Sequence, residues 1–387
     1  MDFDLIIVGG GLAGASLAVA LRASRMRVAL VETRQPVLPT ELDSRVYAVS
    51  PASQAFLSDL GVWRHLPEDR LSPVRDMAIF GDRQGSLRFS AYDSGMGELA
   101  WIVESSVMHR ELWESLKRQH NVSLFCPAQC ERVSWEPSSA ILELSDGQRL
   151  SARLIVGADG ANSWVREQAA ISASFRSYDE LGVVANFRAE AAHDGTAFQW
   201  FRPDGVLALL PMSGQCISMV WSAPVSIAER LMAMDEASFC SHVSTATAER
   251  LGRLALITPR AAFPLRLMRV DRLVQHRLAL IGDAAHAIHP LSGHGINLGF
   301  QDARVLAECL DSVPAWSDPG ALATLRRYAR ARAEEPRVLQ YATHGLHDLF
   351  ASSDPFSATL RNAGMNLVHR LPVLKQALVR YATNGHF

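Results

Sequence analysis

The sequence predicts an α/β protein. A parallel sheet with crossover helices is interrupted by an inserted antiparallel β-sheet and followed by a C-terminal helical segment. Three observations predict this. Residues 4–31 read strand, glycine turn, helix, strand. From Gly182 to Trp221 the pattern changes to consecutive strands separated by turn sequences. From about Ala321 it is helical, with breaks at Pro336, Pro355 and Pro372.

The first strand, Asp4–Val8, runs into Gly9-Gly10-Gly11-Leu12-Ala13-Gly14 and a helix from Leu12 to about Ser24. Gly9, Gly11 and Gly14 have G-x-G-x-x-G spacing, which serves a tight turn, close backbone approach to a pyrophosphate, and close helix–sheet packing. The helix start at Leu12 and Ala13 offers free amides and a partial positive charge to phosphate. The next strand, Arg27–Val31, ends at Glu32, where an acid hydrogen-bonds a ribose. Strand, turn, helix and acid together predict a Rossmann-like dinucleotide site. They do not separate NAD from FAD.

A helix near Pro51–Leu60 follows, then strands within Met77–Phe89, a helix over Ser106–Gln119, and strands again to Leu144. Arg153–Val156 is a buried strand ending in Gly157-Ala158-Asp159-Gly160. Turns at Pro203-Asp204-Gly205 and Ser213-Gly214 divide an antiparallel meander. Leu278–Ile281 is a strand ending at Gly282-Asp283, and a helix starts after the loop Ser292–Gly295. The inserted strands make the domains discontinuous. Residues 1–75, 100–175 and 270–320 form the nucleotide-binding domain, 76–99 and 176–269 a substrate-binding sheet, and 321–387 the C-terminal helices. The Val, Leu, Phe and Trp residues of 182–221 exceed what one buried face requires, which predicts an apolar pocket beside this sheet.

Composition excludes several classes. A net charge of −2 gives no reason to expect nucleic acid as a partner. The five cysteines fit neither a zinc site nor a CxxC pair, and reduced thiols in the cytoplasm are the simplest account. The apolar run Leu5–Leu21 is preceded by Asp2 and Asp4, so it lacks the basic start of a signal peptide. His286, His289 and His294 have no matching carboxylate motif, so no metal is expected.

Two further motifs narrow the reading. One is Gly157-Ala158-Asp159-Gly160-Ala161-Asn162-Ser163-Trp164-Val165-Arg166. The other is Gly282-Asp283-Ala284-Ala285-His286, then His289-Pro290 and Gly293-His294-Gly295-Ile296-Asn297. They resemble the DG and GD fingerprints of aromatic-hydroxylase flavoproteins with a p-hydroxybenzoate hydroxylase-like fold. Asp43-x-Arg45, Ala48-x-Ser50, Leu57, Leu60-Gly61-x-Trp63, Phe198, Gly205, Leu209-Leu210-Pro211, Val220-Trp221-Ser222 and Phe263-Pro264-Leu265 resemble the ubiquinone-biosynthesis hydroxylases. Leu360-Arg361-Asn362-x-Gly364, Pro372-x-x-Lys375 and Ala382-x-x-Gly385 resemble their C-terminal signature.

The resemblance implies FAD as cofactor, NADH or NADPH as transient reductant, and O2 as co-substrate. It implies hydroxylation of an aromatic ring, most naturally a prenylated phenol or quinol. By the same match Asp283 binds the ribityl chain, Asp159 lies near the pyrophosphate, Arg45 and Arg110 contact the cofactor, and Val133 touches the adenine. Gly293, Gly295, Ile296 and Asn297 open a helix whose positive end faces the flavin pyrimidine. Pro290 lines the reaction cavity, with His289 a catalytic candidate by position. Gly293-His294-Gly295 stands where the family usually has Gly-Gln-Gly. Another same-fold flavoprotein acting on a different aromatic or prenyl substrate stays open, as does a non-catalytic FAD-binding scaffold in a biosynthetic complex.

After Asp354 there is no acidic residue, while Arg361, Arg370, Lys375 and Arg380 are interspersed with leucines and valines. Such a basic amphipathic end predicts peripheral contact of 355–387 with the inner face of the cytoplasmic membrane. Packing on the FAD domain is the alternative.

Overall fold

The computed structural model describes residues 1–37, 42–81, 85–287, 295–314 and 316–334. His289, Pro290, Gly293, His294 and the segment 355–387 lie outside the described residues. Strands Leu278–Leu280, Arg149–Gly157, Phe3–Val8, Val28–Val31 and Val122–Phe125 lie side by side and parallel in that order. Leu5 and Ile7 pack under helices Leu12–Ala20, Ser105–Lys117, Gly295–Asp311 and Leu322–Ala331. Ile6 and Val8 pack on the other side, with the hairpin Cys130–Trp135 and Ala140–Leu144. Both faces are covered, so the first strand reads as an unbroken apolar run. The first helix is shorter than its sequence suggests. It ends at Ala20, a 3-10 turn spans Leu21–Ala23, and the Ser24 hydroxyl donates to Leu21 O at 2.7 Å.

A second sheet has nine strands. Thr196–Arg202, Gly205–Pro211 and Cys216–Pro224 form the meander that the two turns predict. The long strand Ala173–Ala189 precedes the meander in sequence but does not pair with its first strand. It pairs with Cys216–Pro224, which frees Thr196–Arg202 to pair in parallel with Asp76–Phe80. Helices Val225–Ala233 and Glu236–Ala246, unforeseen in the sequence, contribute Ala228, Leu231, Phe239 and Val243 to the core on one face. Phe187, Phe198, Trp200 and Trp221 turn to that side, and Phe187 stacks on Phe239 with centroids 5.7 Å apart. Four of the aromatic residues of 182–221 therefore belong to this helix-covered core, while the buried Phe201 lies on the alternate register of its strand. The opposite positions, such as Val184, Asn186, Ala208, Leu210, Ser218 and Val220, are smaller and more polar.

A small sheet of Val46–Val49, Ala100–Glu104 and Leu71–Val74 lies between the two large ones. Its Val46, Ala48 and Ile102 pack with Ala197, Leu210 and Met212. Asn186 Nδ2 donates to Asp43 O at 2.9 Å across the same junction. The face of the nine-stranded sheet opposite its helices thus carries the small sheet at this junction.

Candidate functional site

The glycines of the first turn are needed for different reasons. Gly9 has φ +103°, and a Cβ there would stand 2.4 Å from Ala158 O. A Cβ on Gly14 would stand 2.0 Å from Gly9 O. The protein itself demands these two. Gly11 has φ −65°, which any residue adopts, and among the described residues its Cβ would meet no atom within 4 Å. No described residue requires glycine there, and the open space suits the close approach of a pyrophosphate. Leu12 is buried behind it. Ala13 packs against the GD turn and the helix Gly295–Asp311. Cβ atoms at Gly282 and Gly299 would lie 3.1 and 3.3 Å from its own. Glu32 Oε2 accepts from Gly10 N at 2.7 Å, and Oε1 accepts from Thr33 N at 2.7 Å.

In the DG segment, Asp159 holds its own loop. Ser163 Oγ donates to Oδ1 at 2.5 Å and Val165 N donates to Oδ2 at 3.0 Å. Burial raises its pKa above the ordinary range, and these hydrogen bonds only partly offset that. Arg166, buried, donates to Ala161 O at 2.9 Å and to Ala284 O at 3.1 Å. It joins the DG loop to the GD loop, a role its place in the motif did not disclose. The cysteine at the start of the neighbouring hairpin, Cys130, is pushed up to about 12 by burial and by the charges of Asp159 and Glu32.

Asp283 is solvent-exposed and yet has protein on most sides, the situation of a carboxylate in a recess. That crowding raises its pKa; the charges of His286 and Arg45 work against the rise. Beneath it Asp302 is wholly buried, accepting from Gly282 N at 2.9 Å and from Arg332 Nε at 2.7 Å. His286 Nε2 lies 2.7 Å from Asp302 Oδ2. Burial alone would raise the pKa of Asp302, but His286 and Arg332 outweigh it and hold the group below the ordinary range. Asp302 and Arg332 belong to no motif, and only the fold reveals them.

Arg45 is exposed, with its guanidinium 5.3 Å from the centre of the Phe263 ring. Its backbone is set by Asp43, whose Oδ1 accepts Arg45 N at 2.9 Å. Gly295 and Ile296 begin the helix Gly295–Asp311, while the Asn297 side chain is committed to backbone. It accepts from Ser50 N at 2.9 Å and donates to Ala48 O at 2.8 Å. Val133 pairs with Leu142 in the hairpin, half-buried. Arg110 is half-buried on the helix Ser105–Lys117, within reach of the charge of Glu114. The structure brings Gly9, Gly11, Gly14, Glu32, Asp159 and Asp283 to the C-terminal edge of the parallel sheet, where open α/β sheets bind ligands.

The fold and this edge define an FAD-binding oxidoreductase with a p-hydroxybenzoate hydroxylase-like architecture. A family profile described as "FAD binding domain" matches residues 2–337. The chain is 33% identical to the ubiquinone hydroxylase UbiL of Rhodospirillum rubrum, over 98% of this chain and 89% of that protein. It is 31% identical to the 3-demethoxyubiquinol 3-hydroxylase of Escherichia coli, over 98% of both. P. aeruginosa PqsL, solved in complex with 2-aminobenzoylacetate, aligns with a TM-score of 0.80 at 22% identity, over 94% of this chain and 99% of that one. That likeness shows the fold. The chain belongs to the FAD-binding-domain family of flavoproteins, within the group of ubiquinone-biosynthesis hydroxylases. It is a flavin-dependent aromatic hydroxylase with FAD as its cofactor. Among the described residues no helix is long and apolar enough to cross a membrane.

Proposed function

We propose that this enzyme hydroxylates the ring of a prenylated phenol or quinol intermediate of ubiquinone biosynthesis, consuming O2 and NADH or NADPH. The observation that carries this reading is similarity to two ubiquinone hydroxylases along nearly the whole chain. Bound FAD would supply the redox chemistry, taking reducing equivalents from the nicotinamide and activating oxygen. The chain's own residues bind and orient. Main-chain amides from Gly11 to Ala13 receive the pyrophosphate, Glu32 a ribose, and Asp283 the ribityl hydroxyls. Asp159 and Arg166 shape the loop beside them. Arg45 stands over the cofactor edge, with Arg110 and Val133 on the adenine side. The helix start at Gly295–Asn297 offers main-chain N–H groups to the flavin pyrimidine; by sequence alone Gly293 is assigned to the cofactor, Pro290 to the lining of the reaction cavity, and His289 is a catalytic candidate.

The ring is received on the face of the nine-stranded sheet opposite its helices, beside the half-buried Val184, Ala208 and Val220. We assign cofactor binding to 1–75, 100–175 and 270–320, and substrate binding to 76–99 and 176–269. Residues 355–387 are proposed to hold the enzyme peripherally on an anionic membrane, as one member of a biosynthetic complex. Metabolite profiling of a deletion strain tests the function. Accumulation of a prenylated phenol or quinol lacking one ring hydroxyl is expected. Normal ubiquinone with no such precursor would overturn the assignment.

A further inference from the structure

Between the glycine turn and the helix Ser105–Lys117 there is a contact that the cofactor motifs do not include. Gly10 O lies 2.9 Å from Trp113 Nε1 and 2.7 Å from His109 Nε2. His109 and Trp113 are four residues apart, so both face the loop from one side of the helix. The proton count decides how they act. Trp113 Nε1 is only a donor. If His109 Nε2 carried a lone pair, it would face the carbonyl lone pairs at 2.7 Å and repel them. Trp113 Nε1 also lies 2.9 Å from His109 Nε2, so with Nε2 bare its N–H is shared between the imidazole and the carbonyl. With a proton on Nε2 both N–H groups converge on the carbonyl oxygen, and the 2.7 Å contact favours that arrangement. On the opposite side of the same residue, Gly10 N–H is held by Glu32. The Trp113 ring also closes the space: a Cβ on Gly10 would stand 2.8 Å from it.

We propose that His109 and Trp113 are positioning residues for the cofactor. With Glu32, they clamp both polar groups of Gly10, so that Gly11 and the amides behind it are already set for the pyrophosphate before it arrives. This rests on the reading that the turn holds the pyrophosphate of FAD. Neither residue needs to touch FAD, and neither belongs to the glycine pattern. Their effect is to reduce the ordering that binding would otherwise require.

The test measures FAD and ADP affinity on flavin-stripped His109→Ala, His109→Gln, Trp113→Phe and Gly11→Val, with the melting temperature of each apoprotein. ADP carries the pyrophosphate without the flavin. The clamp predicts that His109→Ala and Trp113→Phe weaken FAD and ADP alike, by roughly fivefold or more. Apoprotein melting should fall only by what the lost hydrogen bond and packing cost, and His109→Gln, whose amide nitrogen can donate in place of Nε2, should recover most of the affinity. Unchanged affinity in these variants, with Gly11→Val unable to bind, would overturn the clamp and leave the pyrophosphate reading intact. If Gly11→Val also binds FAD normally, the pyrophosphate reading itself is wrong. A loss of affinity that follows a lowered apoprotein melting point, without rescue by Gln, would make the two residues ordinary packing and overturn the clamp as well.

Discussion

Asp283 and Asp302 are neighbours in the fold with opposite tasks. Asp283 faces solvent from a recess, and its pKa is raised chiefly by crowding. Its substitution by Ala should leave the fold intact and remove charged acceptors from the cofactor, weakening FAD by roughly 1.5–3 kcal/mol, or about 10- to 100-fold. Fluorescence titration of the apoprotein measures this; full occupancy of the variant at low free FAD would refute the role. Asp302 instead sustains the turn. Asp302→Asn leaves Arg332 buried without its partner and should cost about 3–5 kcal/mol of stability. Because its folded pKa is depressed, its contribution is present above the unfolded value of about 3.8 and is lost as pH falls through the lower folded value. Denaturant unfolding should therefore show the wild type's advantage over the variant persisting from neutral pH to pH ~5 and shrinking only in stronger acid. The glycine turn, Glu32 and Asp283 were legible because each answers to a local spacing. Asp302, Arg332, His109 and Trp113 were not, because their partners lie on other elements: Gly10 and His109 are 99 residues apart.

At the scale of elements, the β-α-β start and the meander followed from apolar periodicity and from turn residues. The pairing of Ala173–Ala189 with Cys216–Pro224 did not, since sequence adjacency favours the nearer strand and only the sheet as a whole shows which edge is free. The helix pair 225–246 was missed although it explains most of the aromatic residues of the meander. Its apolar positions, such as Ala228, Leu231, Phe239 and Val243, are spaced for a helix that lies on a sheet. Phe239 is fully buried against Phe187, so Phe239→Ala should lose about 3–5 kcal/mol of stability. The assigned cofactor edge belongs to the parallel sheet, on other elements. FAD affinity of the folded variant should therefore match the wild type. Loss of FAD from a variant that remains folded would mean that the two sheets are coupled more tightly than this division allows.

At the scale of the molecule, two sheets meet through the small one at Val46–Val49, and FAD is assigned to one while the ring is assigned to the face of the other opposite its helices. The basic end at 355–387 adds a proposed third surface, with each basic residue near an anionic membrane contributing about 1 kcal/mol. Liposome co-sedimentation should require anionic lipid, weaken with salt, and fall when Arg361, Arg370, Lys375 and Arg380 become Gln. Equal sedimentation of wild type and variant would return that segment to ordinary packing. The central claim is hydroxylation with oxygen from O2, and one measurement meets it directly. The holoenzyme is given NADH or NADPH and a prenylated phenol under 18O2, and the ring product is weighed by mass spectrometry. One 18O atom in a new ring hydroxyl is the predicted result. An unlabelled product, or nicotinamide oxidation that yields only hydrogen peroxide, would contradict the account.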